Sequence, residues 1–401
     1  MYHPAAQEKR CNIRPLQIDV ARDIAALAEL AKSWSELCSR TGELNFYLTP
    51  EWCECWVEAF LQPGELRLIT LWDDNRLQAV IPLALRRRYG MRTLCFVGSE
   101  DSDYLGILAV PEHWQAAIDA LLDFVQASRT EWDVVQLRDI DISTRDACLK
   151  YASPLLRARW RMSELCPYIP TMGSWSEFTA QRKERFRKLR QTVNKCYRSG
   201  NVQVVEAKSS NLNIDNIESY IDDIQRDSWK AAQGRLMFRQ EKRLFWRICL
   251  ARMLRLDRVR CFFLLQNGQP IAYSLGFLYG RKIYYYSTGY RDSARALSPG
   301  TVITQHMVEY AFKQDYREFD FMRGDESYKD LWTHEARHSY EIIFWKSRIR
   351  SLLTYMLCYA LLWRMRGNPT ARAAKIWLRT FRERLRLVFR RSDVMRNVDA
   401  S

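Results

Sequence analysis

Apolar residues recur at helical spacing over residues 24–38, which predicts a first helix. A second is expected to start at Thr49-Pro50, where Thr can cap the free amides and Pro suits the first turn. Trp52, Trp56 and Phe60 then recur every four residues, as one buried helix face requires. Residues 65–72 and 77–85 flank the polar Asp73-Asp74-Asn75 and read as strand, tight turn and strand. A strand over 93–97, an apolar run over 105–110, a helix over 112–128 and a strand over 132–137 follow. Ser174 and Glu177 then spell a capping box. Phe178, Phe186, Leu189, Val193 and Cys196 mark the buried face of one helix, which Gly200 ends. Helices are predicted over 213–229 and 240–254. Strands over 259–265 and 270–279 flank the hairpin turn Gln266-Asn267-Gly268-Gln269, and 282–288 is a third strand. A helix over 299–313, a strand over 318–322 and a last strand over 339–345 complete the pattern.

Both halves thus run hairpin, further strand, helix, strand. Their closing strands also look alike: Asp133 to Asp139 in the first half, Asp320 to Asp325 in the second. The pattern reads as an α/β (α+β) chain and a diverged internal duplication, each copy a mixed sheet flanked by helices. The expected divisions are 14–165, 166–346 and a tail, 347–401.

The 401 residues are 47% hydrophobic, ample for folded cores. The net charge of +15 suggests nucleic acid until its distribution is considered. Between Lys346 and Arg391 there are 13 Lys/Arg against the single acid Glu383, so +12 belongs to the tail. There Trp377, Phe381, Leu385 and Val388 share one helical face among arginines, as a helix lying on an anionic membrane surface would. Docking on a protein is the competing reading. The 11 cysteines are scattered, with no C-x-x-C pair, which fits buried thiols in a reducing compartment. Residues 1–14 lack the apolar core of a signal peptide, and the longest apolar stretch, 352–363, is too short to span a bilayer. A cytoplasmic location is expected, with peripheral contact at the inner membrane.

The segment from Tyr284 to Thr301 combines a strand, a basic loop and a helix start. Ser298 is expected to cap that helix and Pro299 to begin it, while Gly300 lets another group approach the backbone. Free amides beside Arg291 and Arg295 would suit a pyrophosphate. The first half has no such loop. Glu100, Asp101 and Asp103 there would repel an anion, so that half is expected to shape the acceptor pocket. His334-Glu335-Ala336-Arg337-His338 matches the H-E-x-x-H zinc pattern. Arg337 and the strand signal after it argue against zinc, and no metal is expected. The basic run 182–190 could grip RNA or phosphate, but its apolar residues keep helical spacing, which favours a solvated helix face.

Leu48-Thr-Pro-Glu-Trp52, Ser102-Asp103-Tyr104, Ser228-Trp229-Lys230, the Gly268 hairpin, Tyr286-Ser-Thr-Gly289, Ser298-Pro-Gly300 and Phe319-Asp-Phe-Met-Arg-Gly-Asp325 with Tyr328-Lys329 form an ordered set. In these residues the chain resembles the cellulose-biosynthesis (CelD-like) acetyltransferases of the GNAT superfamily, relatives of the FemABX aminoacyltransferases. The resemblance implies tandem GNAT-like domains and acyl transfer from a thioester, with acetyl-CoA or another acyl-CoA as donor. The usual Gly-rich phosphate loop is replaced by a longer one holding only Gly289 and Gly300. On this reading Ser287, Thr288, Arg291, Arg295, Ser298, Gly300 and Thr301 bind the donor. Asp103, Tyr104, Trp229, Lys230, Arg323 and Lys329 face the acceptor. Asp325 or Glu326 takes the acceptor's proton, and Tyr328 or Tyr286 protonates the leaving thiolate. The expected acceptor is a sugar or an exopolysaccharide or cell-envelope precursor. Two alternatives stand beside it: a FemABX-type transferase using aminoacyl-tRNA, and an inactive GNAT pair serving as scaffold for a polysaccharide synthase.

Overall fold

The computed structural model describes residues 15–42, 45–88, 91–151, 160–207, 213–232, 234 and 236–346. The tail over 347–401, with Trp377, Phe381, Leu385 and Val388, lies outside the described residues, as do residues 1–14.

Local signals place most elements. Helices α1 (Ala25–Thr41) and α2 (Pro50–Phe60) form as expected, and Thr49 caps α2 by accepting from the Trp52 amide. Strands β1 (Gln17–Ala21), β2 (Leu66–Asp73), β3 (Arg76–Arg88) and β4 (Met91–Phe96) make an antiparallel meander. Of the apolar run 105–110, β5 (Leu108–Ala109) pairs with β3, and Leu105 makes an isolated parallel bridge to Ile140. Helix α3 (Trp114–Ala127) crosses to β6 (Val134–Ile140), which lies parallel to β4. Helix α4 (Ile142–Tyr151) and strand β7 (Arg161–Pro170) follow.

The helix expected from Ser174 to Gly200 is two helices, α5 (Trp175–Ala180) and α6 (Lys183–Arg198). The capping box at Ser174 and Glu177 forms. The chain breaks at Arg182, whose guanidinium lies over the Phe178 ring, and the turn brings Phe178 and Phe186 edge to face. Strand β8 (Val202–Glu206) leads to helices α7 (Ile214–Arg226), α8 (Trp229–Ala232) and α9 (Gln240–Arg255). Strands β9 (Val259–Gln266), β10 (Gln269–Tyr279) and β11 (Lys282–Tyr290) then form a second antiparallel meander with β8. Helix α10 (Pro299–Lys313) crosses to β12 (Glu318–Asp320), parallel to β11, and β13 (Ala336–Trp345) ends the described chain.

All thirteen strands among the described residues join one sheet in the order β1-β2-β3-β4-β6-β13-β7-β12-β11-β10-β9-β8, with β5 beside β3. The order is the same from either edge: four antiparallel strands, a parallel step, then an antiparallel one. The two series meet where β13 pairs with β7. The strand completing the first series, β13, comes from the far end of the chain, and the one completing the second, β7, precedes that half. Residues 165 and 166 both lie within β7, so the halves share a continuous sheet.

Alternation along β9 to β11 covers both faces of the second half. Cys261, Phe263, Tyr273, Phe277 and Tyr284 join a core with α2, α7 and α9, while Phe262, Leu264, Ile283 and Tyr285 join one with α5, α6 and α10. The first core crosses between halves: Phe46 stacks on Phe277 at 4.6 Å and Trp52 meets Phe245 edge-on at 5.4 Å. The nine cysteines among the described residues are buried, and none of them forms a disulfide. No helix among them is long and apolar enough to cross a membrane.

Candidate functional site

The sheet opens at the C-terminal ends of β11 and β12. They pair only at Lys282↔Glu318, Ile283↔Phe319 and Tyr284↔Asp320. Beyond Tyr284, β11 continues to Tyr290 against β10, while the chain after β12 stays with β7 through Phe321 N→Pro167 O (2.9 Å) and Gly324 N→Leu165 O (2.8 Å). A cleft at the carboxyl ends of diverging parallel strands is where open α/β sheets bind ligands. At the same point β11 bulges: the register passes from Leu275↔Ser287 to Phe277↔Tyr284, so Tyr285 and Tyr286 face Gly276 alone. Tyr285 turns to one face and bonds Thr304 Oγ1 at 2.8 Å; Tyr286 packs on Trp246 at 4.8 Å on the other.

Around Tyr286 the halves meet through charge. Arg323 Nε bonds Asp103 at 2.9 Å, its Nη1 meets Asp139 at 3.1 Å, and its amide donates to Asp103 at 3.0 Å. The Asp103 carboxylate beside Arg323 holds the guanidinium well above its usual range, while burial pushes Asp139 up. Burial, then Asp101 and Asp103, push the Tyr286 phenol up, so it stays protonated. Asp101 itself pairs with Lys242 and accepts from Trp56 Nε1. Tyr104 Oη donates to Asp320 Oδ2 at 2.8 Å. Asp320 is fully buried, also accepts from the Met322 amide at 2.7 Å, and is pushed up to about 6 by burial, against the pull of Arg337. The backbone is left-handed at Glu100 (φ 83°), Asp139 (φ 55°) and Met322 (φ 63°), a concentration of strain typical of functional sites. Asp103, Tyr104, Arg323 and Tyr286 are therefore brought together. Asp103 is paired with Arg323, Arg323 also with Asp139, and Tyr104 with Asp320, and these pairs join the two halves.

A second cluster lies on β11. Lys230 Nζ donates to Thr288 O at 2.5 Å and lies 3.4 Å from Ser287 Oγ, while Trp229 is exposed beside it. The loop after β11 is a 3-10 turn, Asp292–Leu297, tied to the end of α7 through Asp292 N→Asp227 O and Ser293 Oγ→Asp227. Arg291 bonds Pro270 O, and Arg295 is exposed.

At the helix start the structure corrects two expectations. Ser298 is left-handed (φ 52°) and its side chain caps nothing; instead its carbonyl accepts from the Thr301 amide at 3.0 Å. Pro299 has no N–H, so the first turn offers fewer amides to an anion than its sequence promised. The group that approaches Gly300 is the Tyr290 ring, whose Cδ1 lies 2.8 Å from where a Cβ would stand.

The loop after β12 carries the remaining candidates. Asp325 is exposed and has no ion-pair partner among the described residues. Tyr328 is 40% exposed and meets Phe321 edge-on. Glu326 pairs with Lys329 at 2.8 Å. Lys329 is buried, and its Nζ also donates to the carbonyls of Met322, Arg323 and Gly324 at 3.0–3.1 Å. It clamps this loop and is not available to an acceptor, contrary to the role expected of it. His338 stands in β13 and His334 precedes it, bonded to Arg185, so the two share no helix face. No group of three or more metal-binding side chains occurs among the described residues.

The fold is that of the GNAT-like acyltransferases, mixed α/β with a mostly antiparallel sheet flanked by helices. Residues 183–330 match the family described as Acetyltransferase (GNAT) domain. Among solved structures the chain is similar to FemX, with 12% identity, a TM-score of 0.56, and coverage of 80% of this chain and 98% of that one. It is also similar to the C-terminal domain (DUF2156) of a putative lysylphosphatidylglycerol synthetase from Agrobacterium fabrum, with 12% identity, a TM-score of 0.51, and coverage of 82% and 95%. None of the curated proteins matches this sequence.

Proposed function

We propose that the protein transfers an acyl group from acyl-CoA to a hydroxyl or amine of a sugar, or of an exopolysaccharide or cell-envelope precursor. The carrying observation is the cleft between β11 and β12, inside the segment that matches the GNAT domain. Among the described residues no strand covers β11 beyond Tyr284 on that side, so an extended amide-bearing chain such as pantetheine can pair there as an added strand would. Thr288 and Thr301 then flank the arm, and Arg291 and Arg295 meet the diphosphate near Gly300. The first half closes the acceptor side through the Asp103–Arg323 joint, with Trp229 and Lys230 opposite. Asp325 serves as base, since Glu326 is already paired. Tyr328 or Tyr286, both phenols at the cleft, returns a proton to the thiolate. The sugar acceptor follows the resemblance to the CelD-like acetyltransferases.

The FemX-like fold and the basic surface of α6, with Lys183, Arg185, Arg187, Lys188 and Arg190 all exposed, favour aminoacyl-tRNA as the second reading. A thermal-shift series separates the two. A ligand at about 100 times its Kd stabilises the folded state by about 2.7 kcal/mol. Acetyl-CoA should raise the melting temperature at any salt concentration. A shift only with tRNA, lost at high salt, would favour the second reading, and no shift with any acyl-CoA would overturn the first.

A further inference from the structure

Ser287 stands on β11 three positions past Tyr284, the last residue paired with β12, so it lies on the edge that the cleft leaves open. Behind it is a polar cluster buried in the face under α7 and α8. Tyr273 Oη lies 2.7 Å from Ser287 Oγ, 2.5 Å from Gln225 Nε2 and 3.5 Å from Lys230 Nζ. Tyr273 and Gln225 are almost wholly buried, at 0% and 1% exposure.

The direction of every proton in this cluster can be worked out. Gln225 Oε1 accepts from the Met237 amide at 2.7 Å, so the carboxamide is oriented with its NH2 toward Tyr273. Gln225 Nε2 can only donate to the phenol oxygen, and an ammonium at Lys230 likewise. Of the groups around the Tyr273 hydroxyl, Ser287 Oγ alone can accept its proton. Burial keeps that phenol protonated. Ser287 therefore receives a hydrogen bond from Tyr273, and its own proton must point out of the cluster. Two donors and a cation stacked behind one hydroxyl polarise it in sequence and make it a stronger donor.

We propose that Ser287 is a catalytic hydrogen-bond donor to the thioester carbonyl oxygen of the bound acyl donor, with Tyr273, Gln225 and Lys230 as positioning residues that fix its hydroxyl. The inference rests on the acyl-CoA reading above. No bond is made or broken at Ser287. It steadies negative charge as the acceptor attacks, and a preorganised donor of this kind is worth about 10²- to 10³-fold in turnover.

The test uses acetyl-CoA labelled with ¹³C at the thioester carbonyl and the full chain. Calorimetry measures binding, and isotope-edited infrared spectroscopy reads the carbonyl band of the bound donor. The band should move to lower frequency on the wild-type protein and return toward the free value in Ser287→Ala, with affinity changed less than about tenfold. Tyr273→Phe, which keeps the ring and removes the directing hydroxyl, should give a smaller shift, and Ser287→Thr should restore it. A band shifted equally in wild type and Ser287→Ala overturns the proposal while leaving the acyl-CoA reading intact. No binding of acetyl-CoA by the wild type overturns both.

Discussion

Replacing Asp320 by Asn should make the protein more stable at neutral pH and less so in mild acid. The carboxyl is fully buried at the last pair of β11 and β12, held by Tyr104 Oη and the Met322 amide. Its pKa is pushed from the ordinary 3.8 to about 6, burial outweighing the attraction of Arg337. A folded value above the unfolded one means that the protonated form favours folding. That stability is fully present below about pH 4 and is lost as pH rises through 6. At about 1.4 kcal/mol per pH unit, the gap amounts to about 3 kcal/mol, and roughly half of it is incurred between pH 5 and 7.5. Asn keeps an acceptor for the Met322 amide but turns a buried NH2 toward Tyr104, at a cost of about 1–2 kcal/mol. The net expectation is a gain of about 1–2 kcal/mol at pH 7.5 that falls to about zero or below at pH 5. Urea unfolding of both proteins at the two pH values measures it. An equal difference in stability at pH 5 and 7.5 would mean that Asp320 does not titrate there, and the reasoning would fail.

Further substitutions bear on the neighbouring loop and helix. Lys329→Met leaves three carbonyls and Glu326 without their donor and should cost about 2–4 kcal/mol in urea unfolding; wild-type stability would show that the clamp is dispensable. Gly300→Ala should cost about 1–3 kcal/mol by driving a Cβ into the Tyr290 ring. Combining it with Tyr290→Ala should recover most of that in a double-mutant cycle, and strict additivity would refute the contact. Asp325→Asn should lower turnover about 10²- to 10⁴-fold with stability changed by less than about 0.5 kcal/mol; unchanged turnover with a confirmed acceptor would remove Asp325 as base.

Elements with local signatures were legible in the sequence. Thr49-Pro50, Ser174 with Glu177, and Asn267-Gly268 each specify a backbone conformation through their own chemistry, and the structure forms each one. Strand β7 was not legible. Pro167 and Pro170 argue against a central strand, and its outer residues are exposed, so only pairing with β12 and β13 makes it one. Asp320 carried an unused signal: a carboxylate between Phe319 and Phe321 on a short strand must be buried or the strand misread. Tyr273 and Gln225 gave none, because their importance lies in an orientation set by the Met237 amide. Lys329 looked like a free cation because spacing cannot show that the turn after Met322 points its carbonyls inward. Strand β7 stayed hidden because its contacts are distant in sequence and Lys329 because its partners are backbone carbonyls, while turn and cap chemistry carried by side chains was read directly.

The exchange of central strands has a consequence for synthesis. A ribosome releases β6, which ends at Ile140, long before the partner that covers it, β13, which begins at Ala336. At roughly 5–20 residues per second, the first half waits about 10–40 s with a central edge uncovered. The strand on the other side of β13, β7, is likewise flanked by strands made late, β12 and β13. The first half therefore cannot close before β13 is made, and completion across the β13–β7 seam is deferred to that strand. A nascent chain stalled before Ala336 should present an open edge to chaperones and to other copies of itself, and a fragment ending there is the form most prone to aggregate.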